Sequence, residues 1–221
     1  MLAIDGVKGL AAIEAFLFAR FFMFQQVYFH KSTRAAEWMI GAILRRAVAQ
    51  VRDGVRLPTL PKAFATVAAG DTPALDDYLE LDDQVLLGAI HDWENASDPV
   101  LADLCKRLRA RALFKSIELY QGRRDGYEAD EEIDPATALA TAKEISRKAG
   151  LDPEVYVGLD EASDTPYPDD ESLMVVFSRG RTRRPAEVSF LLDRLRNETI
   201  TRVRVIFAPE LRDAMREALI R

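Results

Sequence analysis

The chain has 221 residues, of which 48% are hydrophobic and 30% are charged, and its formal net charge is −6. This is the composition of a globular protein with one large or two small domains, and the acidic balance argues against general nucleic-acid binding. A single cysteine, Cys105, excludes an internal disulfide and suits a reducing, cytoplasmic compartment.

The N-terminal apolar stretch predicts one long helix over residues 6–29. Residues 10–29 are enough to cross a bilayer, but four polar side chains interrupt them: Glu14, Arg20, Gln25 and Gln26. A central charge costs about 2.5–3.5 kcal/mol on membrane-insertion scales. We therefore expect no membrane association, and a buried central helix in a soluble domain.

Four further helices are predicted before residue 113. Ser32 or Thr33 begins the first, which runs to about Arg52, where Asp53-Gly54 ends it. Residues 55–73 contain three prolines and a glycine and are predicted to form a connecting loop. Shorter helices follow near residues 75–79, 83–95 and 99–112, the last with Pro99 at its first position.

After residue 112 the period of the apolar residues changes. Strands are predicted over residues 113–120, 155–159, 173–178 and 201–207, and helices over 135–149 and 209–220, while 188–195 suits either. The predicted fold class is therefore α+β. An all-α region, residues 1–112, precedes a small α+β domain, residues 113–221, with an antiparallel or mixed sheet.

Arg20 is the first candidate for a functional side chain, because a guanidinium in an apolar helix needs an anion or a set of acceptors. Tyr28 lies on the same drifting stripe, about 12 Å further along the helix axis. That distance suits a nucleotide or polyphosphate, with Arg20 on phosphate oxygens and Tyr28 on a base or sugar. The alternative from helix physics alone is that Arg20 pairs with a buried carboxylate and Tyr28 belongs to the core.

Other polar groups have simpler interpretations. His30 and Lys31 suit either the C-terminal end of the first helix or a second anion site between subunits. His91-Asp92 lacks the further ligands of a metal-dependent phosphohydrolase, since His30 is the only other histidine. Two charged segments suit solvated loops: the acidic run from Asp125 to Asp134 and the basic turn Arg179, Arg181, Arg183 and Arg184.

The segment that contains Arg20 resembles a signature of the HD-domain deoxynucleotide triphosphohydrolases and their bacterial relatives. The residues that carry this resemblance are Ala19-Arg20, Met23, Val27-Tyr28-Phe29-His30-Lys31, Thr33-Arg34 and Glu37. Supporting similarity extends through Asp98-Pro99 to Arg111-Ala112-Leu113-Phe114-Lys115. Phe24 stands where relatives often have tyrosine or histidine, so any hydroxyl or imidazole role at that position is lost.

In that family the metal-binding histidines and aspartates precede this region. The resemblance therefore implies a C-terminal portion of a metal-dependent phosphohydrolase, with no catalytic or metal-binding residues of its own and no cofactor bound. It implies that Arg20 contacts substrate phosphates, that Tyr28 and, more weakly, Gln25 contact the nucleotide, and that His30 and Lys31 face an allosteric nucleotide site.

The expected function is to supply substrate contacts and oligomer surfaces to an HD-type dNTP phosphohydrolase, the chain alone being inactive. A second hypothesis is a non-catalytic nucleotide-binding or regulatory module that docks on a separate HD subunit. A third is a structural α+β protein in which Arg20 only forms an ion pair. The expected partners are a nucleotide and either further copies of the chain or an HD-core subunit.

Overall fold

A computed structural model describes residues 2–121, 133–168 and 173–220, and its α+β architecture confirms the predicted fold class. The acidic residues 125–132 lie outside the described residues. The helices are α1 (Leu10–Met23), α2 (Lys31–Arg52), α3 (Lys62–Ala69), α4 (Leu75–Leu79), α5 (Asp83–Trp93), α6 (Pro99–Arg109), α7 (Pro135–Lys148), α8 (Pro185–Val188), α9 (Phe190–Leu195) and α10 (Arg212–Leu219). The strands are β1 (Leu2–Asp5), β2 (Lys115–Gln121), β3 (Val157–Asp164), β4 (Leu173–Val176), β5 (Thr182–Arg183) and β6 (Ile200–Phe207).

Helix α2 is the centre of the helical layer. Its buried residues recur at helical spacing and pack against α3, α5 and α6, with Met39, Ile43 and Ala47 all at 0% exposure. Asp82 and Asp98 cap α5 and α6, as the sequence predicts. The predicted loop over 55–73 is wrong in part, because α3 lies inside it. Two of the residues that suggested a loop flank this helix: Pro61 precedes it and Gly70 follows it.

A three-stranded antiparallel sheet, in the order β2-β6-β3, packs α7 and α10 on one face. The other face receives α2, and one glycine permits the close approach. A Cβ on Gly158 would lie closer than 3.0 Å to the indole ring of Trp38, so one of the two would have to shift. The segment 188–195, which the sequence left open, is helical and contains α9.

The N-terminal segment differs from the predicted single helix over 6–29. β1 pairs in parallel with β4, which also pairs with β5, so the first residues form a strand. Helix α1 then begins at Leu10, and a π-helical segment, Phe24–Tyr28, continues it. Contacts between β1 and β4 cross the predicted division at residue 112, and that division remains a prediction.

The expectation that the N-terminal helix is buried is wrong. Within α1 only Ile13 and Leu17 are buried, against Tyr167 and α9, and 11% of the apolar stretch Leu10–Tyr28 is buried. By length and composition alone, that stretch is also long enough to span a bilayer. Only one side of α1 meets the rest of the described chain, so its other side presents Phe16, Phe22, Met23 and Val27 to the surroundings.

Candidate functional site

Arg20 is exposed, and contacts with neutral groups orient its side chain. Its Nε donates a hydrogen bond of 2.8 Å to the carbonyl oxygen of Pro166. Its guanidinium carbon lies 5.4 Å from the centre of the Phe24 ring, within the range of a cation–π contact. Among the described residues no carboxylate pairs with Arg20. The guanidinium is therefore held at the surface with its charge available to an anion.

Arg20 and Tyr28 line the same open groove, here called the α1 groove, with a volume of about 660 Å³. The remaining lining residues are Phe16, Ala19, Met23, Phe24, Phe29, Arg34, Glu37 and Asp164. The Tyr28 ring packs edge-on against Phe24, with 5.0 Å between ring centres. Gln25 is half-buried and is not among the residues that line the groove. The groove thus combines a cation with aromatic side chains, which suits a phosphate ester of an aromatic base.

A second part of the groove lining is held by ion pairs of Arg34 on α2, one of them with the sheet. Arg34 donates to Asp160 from Nε at 3.0 Å and from Nη2 at 2.5 Å, and from Nη1 to Glu37 at 2.6 Å. The hydrogen bond to Asp160 raises the pKa of Arg34 above its usual value. Because both neighbouring carboxylates already neutralise Arg34, its role is to fix this part of the lining, and Arg20 is the cation left for a ligand.

His30 and Lys31 lie where the π-helical segment ends and α2 begins. The backbone N–H of His30 donates a hydrogen bond of 3.3 Å to the carbonyl oxygen of Val27 in the preceding segment. His30 is the N-cap of α2, and its Nδ1 accepts a hydrogen bond of 3.2 Å from the backbone N–H of Ser32. Lys31 is the first residue of the helix. A cation there is disfavoured by the helix dipole unless an anion accompanies it, since helix N-termini attract negative charge.

Lys31 lines a second cavity of about 440 Å³, here called the basic pocket. Its cationic residues are Lys31, Arg111, Lys115, Arg212 and Arg216, and no acidic residue lines it. None of these five side chains has an ion-pair partner among the described residues. His30 does not line this pocket.

Arg111 adopts a left-handed backbone conformation, with φ of 55°, directly after the end of α6. Glycine is the usual residue at such a position, and other residues there pay about 1–2 kcal/mol. Sequence reasoning quoted Arg111 and Lys115 only as part of a resemblance, and missed Arg212 and Arg216, whose spacing of four places them on one helix face.

Within the described ranges, no group of three His, Cys, Asp or Glu residues could hold a metal ion. His91 is exposed and contacts Arg109, which also pairs with Glu94 at 2.9 Å. Asp92 accepts a hydrogen bond from the hydroxyl of Thr59. These contacts give His91 and Asp92 structural partners at the ends of helices, and the described residues do not fit a divalent metal.

Comparison with known proteins identifies relatives along nearly the whole chain. A family model described as "HD associated region" matches residues 2–60 and 59–220. The uncharacterised protein YwfO of Bacillus subtilis is 33% identical over 160 residues, which are 72% of this chain and 34% of YwfO.

Two solved structures share the fold. A phosphohydrolase from Bacteroides thetaiotaomicron is 25% identical with a TM-score of 0.74, over 93% of this chain and 51% of that chain. A hypothetical protein from Aquifex aeolicus is 21% identical with a TM-score of 0.61, over 98% and 47% respectively. The chain thus spans between about a third and a half of these relatives' lengths.

Proposed function

Because this chain belongs to the HD-associated region family, we propose that it supplies the nucleotide-binding wall of an HD-superfamily phosphohydrolase acting on dNTPs or related nucleotides. In this proposal the chain corresponds to a C-terminal portion of such an enzyme. The metal ion and the residues that activate water come from a separate HD core, since the described residues do not fit a metal. In this proposal the chain binds and orients the nucleotide phosphates but does not catalyse their hydrolysis by itself.

The α1 groove is the observation that carries this proposal. Arg20 is exposed, oriented by Pro166 and Phe24, and free of a carboxylate partner in the described chain. Its planar guanidinium suits two phosphate oxygens at once. Tyr28 and Phe24 supply aromatic surface for a base or sugar in the same groove. Gln25 remains a weaker candidate, reached only by a ligand that extends beyond the groove lining.

The basic pocket supports a second, regulatory nucleotide site next to His30 and Lys31. Five cations without a lining carboxylate attract a polyphosphate, and the N-terminus of α2 adds its dipole. His30 contributes through the cap that fixes the start of α2, and Lys31 through its charge. In this proposal the site lies at a contact with a second copy of the chain, as the family resemblance implies for His30 and Lys31.

A specific observation also supports the second hypothesis, a module that docks on a separate HD subunit. The exposed side of α1 carries large apolar residues, including Phe16 at 62% and Phe22 at 54% exposure. Large exposed apolar side chains suit an interaction site. Because Phe16 also lines the α1 groove, an HD-core subunit that covers it would adjoin that groove.

Calorimetry with each dNTP tests the proposal. We expect Arg20→Ala to weaken binding at the α1 groove at least tenfold. Arg20→Lys should give an intermediate loss, because lysine keeps the charge but cannot bind two phosphate oxygens at once as a guanidinium does. Arg56→Ala, at an exposed arginine outside both cavities, is the matched control. Affinity that is the same in Arg20→Ala and the unmodified chain removes Arg20 from the site and contradicts the proposal.

Hydrolysis gives a separate readout. The purified chain with Mg²⁺ or Mn²⁺ and each dNTP should release no phosphate, and adding an HD-core subunit should be required for turnover. Turnover by the chain alone, at a rate that follows the protein through successive purification steps, would show that the catalytic groups are present here.

A further inference from the structure

A third cavity lies between α2 and α3, far along α2 from the two sites described above, and is here called the α2–α3 groove. Its volume is about 620 Å³, and its floor is almost entirely apolar, with Leu44, Val48, Phe64 and Val67 among the lining residues. Small-molecule sites have volumes of about 300–1,000 Å³, apolar walls and a few fixed polar groups. By size and lining, this groove belongs to that class.

Two arginines stand at the edge of the groove. Arg45 and Arg52 are seven residues apart on α2, so they share a face and are separated by about 10 Å along the helix axis. Arg52 is held over the groove by a hydrogen bond of 2.8 Å from Nε to the carbonyl oxygen of Ala68. The guanidinium of Arg45 lies over the Trp38 ring at 5.9 Å. Neither arginine has an ion-pair partner among the described residues.

The charge of the lining distinguishes this groove from the basic pocket. Two arginines and one aspartate, Asp53, give the α2–α3 groove a formal charge of +1, whereas the basic pocket carries five cations and no acid. A polyphosphate therefore suits the basic pocket. A ligand with one negative charge and an apolar body suits the α2–α3 groove, since its body covers the apolar floor while its head meets an oriented guanidinium.

We propose that the α2–α3 groove binds an amphipathic carboxylate, an acyl or aryl acid whose apolar body lies against Val48 and Phe64 and whose carboxylate pairs with Arg45 or Arg52. The carboxylate forms charge-assisted hydrogen bonds with a guanidinium whose orientation is already fixed, so little side-chain entropy is lost on binding. This site does not depend on the nucleotide proposal, because none of its residues lines the α1 groove or the basic pocket.

Methyl NMR of the full chain, titrated with sodium octanoate, tests this site. We expect saturable shifts of the Val48, Val67 and Leu44 methyl groups with octanoate, and none with butyrate, which lacks the apolar body. Arg45→Ala or Arg52→Ala, whichever removes the arginine that pairs with the carboxylate, should weaken octanoate binding about tenfold, the loss expected for one charge-assisted pair. The matched control, Arg56→Ala, removes an exposed arginine outside the groove and should leave binding unchanged.

Two further measurements can overturn the inference: the affinity for octan-1-ol, and the methyl shifts of the free protein at several concentrations. Equal affinity for octan-1-ol and octanoate, together with an unchanged affinity in both Arg45→Ala and Arg52→Ala, would show an apolar groove with no carboxylate preference. Shifts of the same methyl groups that follow protein concentration in the absence of octanoate would show that a second copy of the chain covers the groove. Val67→Glu, at a half-exposed rim position, should abolish octanoate binding without disturbing the core.

Discussion

Helices α1 and α2 adjoin in sequence and differ in how their composition relates to their burial. α1 is the more apolar of the two, yet only two of its 14 residues are buried, whereas α2 buries five of 22 and forms the centre of the core. The difference follows from what surrounds each helix. α2 is enclosed by α3, α5, α6 and the sheet, while α1 meets the described chain on one side only. Apolar composition thus predicts that a helix will be covered, and leaves open which molecule covers it.

The largest effect on stability is expected where α2 contacts α6, when the carboxylate of Asp98 is removed. Asp98 is 6% exposed, caps α6 through the N–H groups of Val100 and Leu101, and accepts a 2.8 Å hydrogen bond from Nε of Arg46 on α2. Asp98→Ala removes the cap and the partner of the part-exposed Arg46 guanidinium together, and should lower the free energy of unfolding by about 2–4 kcal/mol. Urea denaturation followed by circular dichroism measures this loss.

Asp134→Ala is the control for that variant. Asp134 caps α7 in the same way through Thr137, with no arginine partner among the described residues, so its loss should cost only about 1 kcal/mol. Equal losses in the two variants would show that the Arg46 pair contributes nothing beyond the cap.

The same carboxyl group predicts a dependence of stability on pH. Burial raises the pKa of Asp98, but hydrogen bonds from Leu101, Arg46 and Val100 outweigh burial and hold this pKa below its usual value of 3.8. Because the folded pKa is lowered, the contribution to stability is present above pH 3.8 and is lost as the pH falls through the folded pKa. Thermal unfolding between pH 5 and pH 2 should show a decline that is reduced in Asp98→Asn.

A second test concerns the contact between α2 and the sheet. Gly158→Ala would place a methyl group where the Trp38 indole lies and should cost about 1–3 kcal/mol of unfolding free energy, as over-packing of a core does. The double variant Gly158→Ala with Trp38→Ala separates the causes, because it removes the obstructing ring. If Gly158→Ala costs as much in that background, the clash with Trp38 is not the reason for the glycine.

The local signals in the sequence predicted α2, the caps at Asp82 and Asp98, and the strands β2, β4 and β6, because periodicity and capping act over a few residues. β1 was missed because four residues pair with a strand about 170 positions away. Arg20 was identifiable as the one cation in an apolar run, but its exposure was not, since burial depends on neighbouring elements. The basic pocket was missed because its cations come from distant parts of the chain: the start of α2, the turn after α6, β2 and α10.

A variant of Arg111 separates the contribution of this residue to anion binding in the basic pocket from its contribution to stability. Arg111→Gly relieves a left-handed residue, so the free energy of unfolding should stay unchanged or rise by up to about 1 kcal/mol. Binding of inorganic triphosphate, measured by calorimetry, should nevertheless weaken about tenfold, because one guanidinium is lost. Stability and affinity are therefore expected to move in opposite directions.

Arg179→Gly is the matched control, since Arg179 has φ of 67° and lies outside the basic pocket. It should have the same small effect on stability and none on triphosphate binding. An Arg111→Gly variant that binds triphosphate as tightly as the unmodified chain would show that Arg111 is not part of an anion site.

The smallest effect on folding is expected on the exposed side of α1, and this is the prediction that most directly tests the contrast with α2. Phe16→Ser and Phe22→Ser should each change the free energy of unfolding by less than about 0.5 kcal/mol, because both side chains are more than half exposed. Leu17→Ala, on the buried side of the same helix at 6% exposure, should cost about 2–5 kcal/mol. Sedimentation velocity of mixtures with an HD-core subunit should show less complex with the double serine variant than with the unmodified chain. A loss of more than about 2 kcal/mol in either serine variant would mean that this side of α1 is packed within the chain itself, and the surface assigned here to a partner would not exist.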